Sequence, residues 1–196
     1  MSAAQPSSAV VVRALLFIVV VAIVARVLTA VYLGDNAEPL SGASDQYSYD
    51  VLAQRVLTGH GFSFPSDWYP FTAANEQTAH WSFAYTLYLA GIYALAGHHP
   101  LVARLAQACS SALIGWLLFR IGRRLFDARV GLAAAAAAAC YAYLIFFNAA
   151  LMTQTFYIVC LLAAFDAAFA LAEQPTRRGW LLLGVALGLG ALFRQT

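Results

Sequence analysis

The chain has 196 residues, of which 62% are apolar and only 10% charged, with a formal net charge of +2. That composition lies far outside the soluble range, so most of the chain is solvated by lipid or by other buried helices. The net charge is too small to point to nucleic acid as a partner, and all 11 basic side chains are arginine, so their placement carries more information than their sum.

The first apolar run, Ala14 to Leu33, is about 20 residues, longer than a signal-peptide core, and is followed by Gly-Asp-Asn rather than a small-x-small cleavage site. It predicts an anchored first span. Next comes DQYSYDVLAQRVLTGHGF, Asp45 to Phe62. Here Tyr49, Leu52, Ala53, Val56 and Leu57 fall on one stripe of a helix, with Ser44 as its expected cap and Gly59 as its end. Asp45 lies at the head of that apolar stripe. An aromatic loop, GFSFPSDWYPF, suits the water–lipid boundary and leads to a second short apolar helix over Trp81 to Ala96. Further spans are predicted over Leu101 to Phe119, Val130 to Leu151, Thr153 to Ala172 and Trp180 to Phe193. Ala133 to Ala139 and the series Gly184, Gly188 and Gly190 read as close-packing surfaces between helices. Cys109, Cys140 and Cys160, without a CxxC or Cys/His spacing, read as small packing residues rather than disulfides or a metal site.

Charge arranges these elements. Arg120, Arg123, Arg124 and Arg129 cluster in one short connection, and Arg177 and Arg178 in another; arginine-rich short loops belong on the cytoplasmic side. Both clusters fall inside only if Trp81 to Gly97 does not cross the bilayer. The expectation is therefore an all-α integral membrane protein with about five transmembrane helices, its N-terminus inside, and two external interfacial helices in the first loop. Residues 1–196 form a single transmembrane module, with 34–100 as the external loop. That loop holds six of the nine acidic residues and a single arginine, Arg55.

Polar residues in or beside hydrocarbon are costly and need a reason. Arg13 reads as an anchor. Arg26, about two turns from the outer end of the first span, reads either as a snorkelling side chain or as one facing a site. Asp166 reads as a helix-to-helix partner. Asn148 and Gln154 either face the same external cavity as Asp45 or are simply interfacial. Arg194, at the outer end of the last span, favours a negatively charged partner, and Asp45 has the alternative of being a favourable helix-start charge.

The order of an N-terminal span, then Asp45, Tyr49 and Ala53, then Gly59, Gly61 and Phe62, resembles the opening of the GT-C membrane glycosyltransferases of the protein O-mannosyltransferase and aminoarabinose transferase type. LVARLAQACSSALIGWLLFRIGRRLFDARVGLAA and GVALGLGALFR are similar to later spans of that family. The resemblance implies an N-terminal GT-C module in the plasma (inner) membrane, catalytically active at the external or periplasmic face. It implies transfer of a sugar from a polyprenyl-phosphate donor to a lipid, glycan or protein acceptor. Asp45 would be the catalytic base and Arg194 the cation at the lipid phosphate, with Tyr49, Arg55, Gln154 and Arg26 as further substrate contacts. No definite cofactor is implied; a divalent cation is left open, and no residue is assigned to a metal. The chain departs from the family in having Gln154 where an acid is common, and His80 and Trp81 in place of a proline turn. It also ends at Thr196 where family members continue, which reads either as the N-terminal portion of a longer enzyme or as a diverged short relative. The competing reading is a non-catalytic scaffold or lipid-binding relative, which Gln154 favours. A transporter lacks support because no inverted repeat or pair of broken helices is visible.

Overall fold

The computed structural model describes residues 7–194 apart from Gly42, Tyr69 and Phe71. Its described residues form an all-α membrane protein: α1 (Ser8–Leu33), α2 (Asp45–Leu57), α3 (Phe83–Ala96), α4 (Pro100–Ser110), α5 (Ala112–Leu125), α6 (Ala128–Cys140), α7 (Ala142–Ala149), α8 (Gln154–Glu173) and α9 (Arg177–Phe193). Three segments are long and apolar enough to cross a bilayer, namely α1, the nearly continuous α4–α5 over Pro100–Leu125, and α8. A fourth is the pair α6 and α7. With 17 residues, α9 rises only about 26 Å, close to the ~30 Å of hydrocarbon. At 14 residues, about 21 Å, α3 is too short to span upright.

The span expected to run straight from Val130 to Leu151 is instead bent by 60° between α6 and α7. Tyr141 breaks it in an extended conformation. A helix broken among other helices leaves carbonyls without partners, and hydrocarbon supplies none. Arg26 supplies them: its Nη2 donates to Ala138 O at 3.0 Å and its Nη1 to Ala139 O at 3.4 Å and to Ala22 O in its own helix at 3.0 Å. The guanidinium is 1% exposed, so it neither snorkels to the surface nor reaches an external site. Its role is to cap α6.

Local chemistry sets the other boundaries. The side chains of Ser82, Asp127 and Thr176 accept from the first-turn amides of α3, α6 and α9. From the α1–α2 connection, Asp35 accepts from the Leu101 amide at 2.8 Å and pairs with His99 at 2.8 Å, tying the first loop to the start of α4. The hydrogen bond from His99 holds the Asp35 carboxyl below its usual value. Ser44, by contrast, makes no side-chain cap on α2. The helix ends where expected, with Gly59 at φ 81°, a left-handed conformation that glycine adopts without a Cβ clash.

Packing places α2 on α3, α8 on α9, α5 on α6 and α1 on α6. Tyr49, Leu52 and Ala53 of the predicted stripe are buried against α3, in a cluster with Phe64, Trp81, Tyr85 and Leu89. The alanine run packs as expected at Ala135, Ala138 and Ala139. The glycine series does not: Gly184 and Gly188 face open space, and Gly190 alone of the three approaches a neighbour, Cys160. All three cysteines are free thiols; Cys109 and Cys140 are exposed on helix surfaces rather than packed, and Cys160 is buried.

A close helix approach is found instead at a different pair of glycines. A Cβ on Gly131 would lie 2.6 Å from Phe119 O, and one on Gly122 would lie 2.8 Å from the Gly131 Cα. Both obstacles are backbone, so the helices themselves would have to part. Gly131→Ala is therefore expected to destabilise the bundle by about 1–3 kcal/mol, read as lowered resistance to denaturation in detergent. Gly184→Ala, in open space, should leave it unchanged.

Candidate functional site

The site begins with how the chain holds the start of α8. The last carbonyls of α7 need partners, and two buried side chains of α4 provide them. Arg104 Nη1 donates to Ala149 O at 3.1 Å, and Gln107 Nε2 to Ala150 O at 2.7 Å. Arg104 Nη2 also donates to Asn36 O at 2.7 Å and to Gln46 Oε1 at 3.2 Å. That same Gln46 oxygen accepts from Leu151 N, while its amide nitrogen donates to Glu38 O. Gln107 Oε1 accepts from Tyr85 OH at 2.8 Å. One buried network thus fixes the first turn of α2 relative to residues 149–154. At the other side, Ser82 Oγ donates to Leu192 O at 3.2 Å, bringing the end of α9 beside the start of α3.

These two junctions frame a cavity of about 280 Å³. Asp45 and Tyr49 of α2, Gln154 of α8 and Arg194 just beyond α9 line it together. His80, Trp81 and Ser82 form another wall, and Met152, Thr153 and Phe193 complete it. Asp45 is exposed and is the cavity's one carboxylate; among the described residues it forms no ion pair with Arg194. The Arg194 guanidinium lies 5.7 Å from the centre of the Tyr157 ring. Tyr49 packs edge-on against Trp81 and Tyr85. Burial, helped by the neighbouring Asp45 charge, pushes its phenol up to about 12, so it is a neutral hydrogen-bonding group at physiological pH.

Two polar atoms on the wall lack partners: the Trp81 indole nitrogen, a donor, and Gln154 Oε1, an acceptor. Both atoms are buried within the wall rather than on the cavity surface, so the cavity's accessible polar groups are those of other lining residues such as Asp45 and Arg194. A second, apolar groove of about 240 Å³ runs between α8 and α9, lined by Tyr157, Leu161, Leu187 and Ala191, and Arg194 belongs to it as well. The polar cavity and the apolar groove therefore share one lining residue, Arg194.

A family model described as dolichyl-phosphate-mannose-protein mannosyltransferase matches residues 82–196. The chain belongs to that family. Neither the curated proteins nor the solved structures give a match. The matched residues take in Ser82, Gln154 and Arg194, whereas Asp45, Tyr49, His80 and Trp81 lie before them. Membership makes this a membrane glycosyltransferase of the mannosyltransferase type.

Within the mannosyltransferase, not every residue singled out from the sequence reaches the cavity. Arg55 points into the first loop, where its Nη2 donates to Ser63 Oγ at 2.9 Å and Asn75 Oδ1 at 2.7 Å, pinning the aromatic loop onto α2. Arg26 caps α6, as above. Asn148 is fully buried and accepts from Thr155 Oγ1 at 2.9 Å behind the wall. Asp166 lies at the other end of α8, paired with Arg120 at 2.8 Å and Arg124 at 3.1 Å. Sequence reasoning missed Arg104, although a charge within the predicted span Leu101 to Phe119 carries the same signal that singled out Arg26. For a divalent cation, the cavity offers one carboxylate. Among the described residues no group of three or more His, Cys, Asp or Glu could hold a metal ion. A divalent cation there would be held by Asp45 together with a bound phosphate, since magnesium is commonly held by one or two carboxylates and substrate phosphates.

Proposed function

We propose that the cavity transfers a sugar from a polyprenyl phosphate to an acceptor hydroxyl at the external face of the membrane. The observation that carries this reading is that Arg194 borders both the polar cavity and the apolar groove between α8 and α9. A polyprenyl-phosphate sugar has that same division: an isoprenoid chain, an anionic phosphate and a polar sugar in sequence. The chain would lie in the groove, the phosphate at Arg194 and the sugar in the cavity lined by Trp81 and Gln154.

The chemistry then follows from the residues present. The acceptor oxygen attacks the anomeric carbon as the bond from that carbon to the phosphate oxygen breaks. Asp45 takes the acceptor's proton, and the polyprenyl phosphate leaves as an anion opposite the Arg194 charge. A phosphate leaving group needs no second acid, unlike the alkoxide in glycoside hydrolysis. The test is transfer by membranes containing the protein, supplied with mannosyl-phosphoryl polyprenol or with a nucleotide sugar. Release of polyprenyl phosphate with the first donor and no turnover of the second is expected; use of the nucleotide sugar would overturn the reading. The scaffold alternative, favoured by the neutral Gln154, would show instead as lipid binding without turnover.

The external placement rests on charge. Arg120, Arg123 and Arg124 end α5, Arg177 and Arg178 begin α9, and both ends lie away from the Asp45 cavity along α8 and α9. Arginine-rich ends favour the cytoplasm. In a cysteine-free variant, a cysteine at Ser66 should react with an impermeant external reagent and one at Arg123 should not. External labelling at Arg123 would reverse the orientation.

A further inference from the structure

At the far end of α8 from the candidate site, about 30 Å along its 20 residues, lies a cleft of about 550 Å³. It is lined by Trp116, Phe119, Arg120, Arg123, Arg124 and Glu173. We propose that this cleft binds the phosphate headgroup of an anionic membrane phospholipid.

Three guanidiniums line it, and they are not equally engaged by the protein's own acids. Arg124 is committed internally: its Nη1 donates to Asp166 O at 2.7 Å and to Asp166 Oδ1 at 3.1 Å, and its Nε pairs with Glu173 at 3.3 Å. Arg120 takes the second Asp166 oxygen at 2.8 Å. Arg123 forms no ion pair among the described residues and lies 5.5 Å from the centre of the Phe119 ring. Of the three lining guanidiniums, Arg123 is the one without an ion pair among the described residues.

The geometry also prepares that charge for a phosphate. Arg120 lies 4.7 Å from the Trp116 ring centre, as Arg123 does over Phe119 at slightly longer range. Stacking covers a guanidinium face and holds the fork in place, leaving N–H edges for phosphate oxygens. What favours a lipid over a soluble anion is the continuation of the surface. Leu113, Trp116, Arg120 and Arg123 follow one another at helical spacing on a single face of α5. Leu113 and Trp116 are exposed large apolar residues. An acyl chain along that stripe would end with its headgroup at the arginine pair, the arrangement expected of a basic pocket at a membrane boundary.

The test is native mass spectrometry of the detergent-purified protein titrated with equal amounts of dioleoyl phosphatidylglycerol and dioleoyl phosphatidylcholine. The protein should retain the anionic lipid preferentially, and Arg123→Gln should reduce that preference by about fivefold while leaving every Asp166 and Glu173 pair intact. Arg177→Gln, the same charge change on exposed α9 outside the cleft, should not reduce it. An unchanged preference in Arg123→Gln, or an equal loss in Arg177→Gln, would overturn the site. Displacement of phosphatidylglycerol by millimolar glycerol 3-phosphate as effectively as by more phosphatidylglycerol would assign the cleft to a soluble anion and overturn it equally.

Discussion

Asp45→Asn is expected to lower sugar transfer by about 100-fold or more, with folding and membrane insertion unchanged. The substitution keeps the size of the side chain and most of its hydrogen bonding, and removes only the ability to take a proton. Asp45 is the cavity's one carboxylate, and neither Gln154 nor the neutral Tyr49 phenol can replace it as a base. Its placement at the head of an apolar stripe follows from the same account. The donor arrives from the bilayer, so the reacting carboxylate must face the cavity between α2, α8 and α9 rather than open water. Initial rates at matched protein level, from a polyprenyl-phosphate sugar, are the measurement. Near-normal turnover would reduce Asp45 to a favourable charge at a helix start.

Arg194→Ala is expected to act differently on the same reaction. The guanidinium would serve the phosphate both when the donor binds and when the anion leaves, so its loss should raise KM for the donor and lower kcat. A drop of about 100-fold in kcat/KM is expected, typical of removing one fixed charge from a developing anion. Arg194 stacks over Tyr157 and forms no ion pair among the described residues, so the fold should survive. Arg194→Lys should recover part of the rate, because a point charge remains while the planar fork is lost. An alanine variant with an unaltered donor KM would remove the phosphate from this position.

Much of the fold was legible in the sequence because lipid makes apolar runs explicit. The amphipathic α2, the short α3 and the approximate extents of α1, α8 and α9 follow from spacing and length. The break at Tyr141 was not legible, since the residues around it are as apolar as a straight span requires. What permits it is Arg26, more than a hundred positions away, and such a long-range cap leaves no local pattern. For the same reason the Gly122–Gly131 contact was hidden, whereas the more conspicuous Gly184 and Gly188 face open space. At the site, Asp45, Tyr49, Gln154 and Arg194 were singled out individually, and the fold brings them to one cavity. Arg55 carries the same charge as Arg194 but is used within the first loop, a difference that depends on Ser63 and Asn75 coming near it. Trp81 was visible as the start of the second apolar helix and as a departure from a family turn.

The central claim is that a lipid phosphate and its sugar lie at the junction of the Asp45 cavity and the α8–α9 groove. Its most direct test is photocrosslinking with a polyprenyl-phosphate sugar that carries a diazirine near the phosphate end of the isoprenoid, followed by peptide mapping. Labelling of peptides containing Tyr157, Leu187 or Arg194, blocked by excess unmodified donor, is the result predicted. Saturable labelling confined to other helices, with these peptides unmodified, would contradict it.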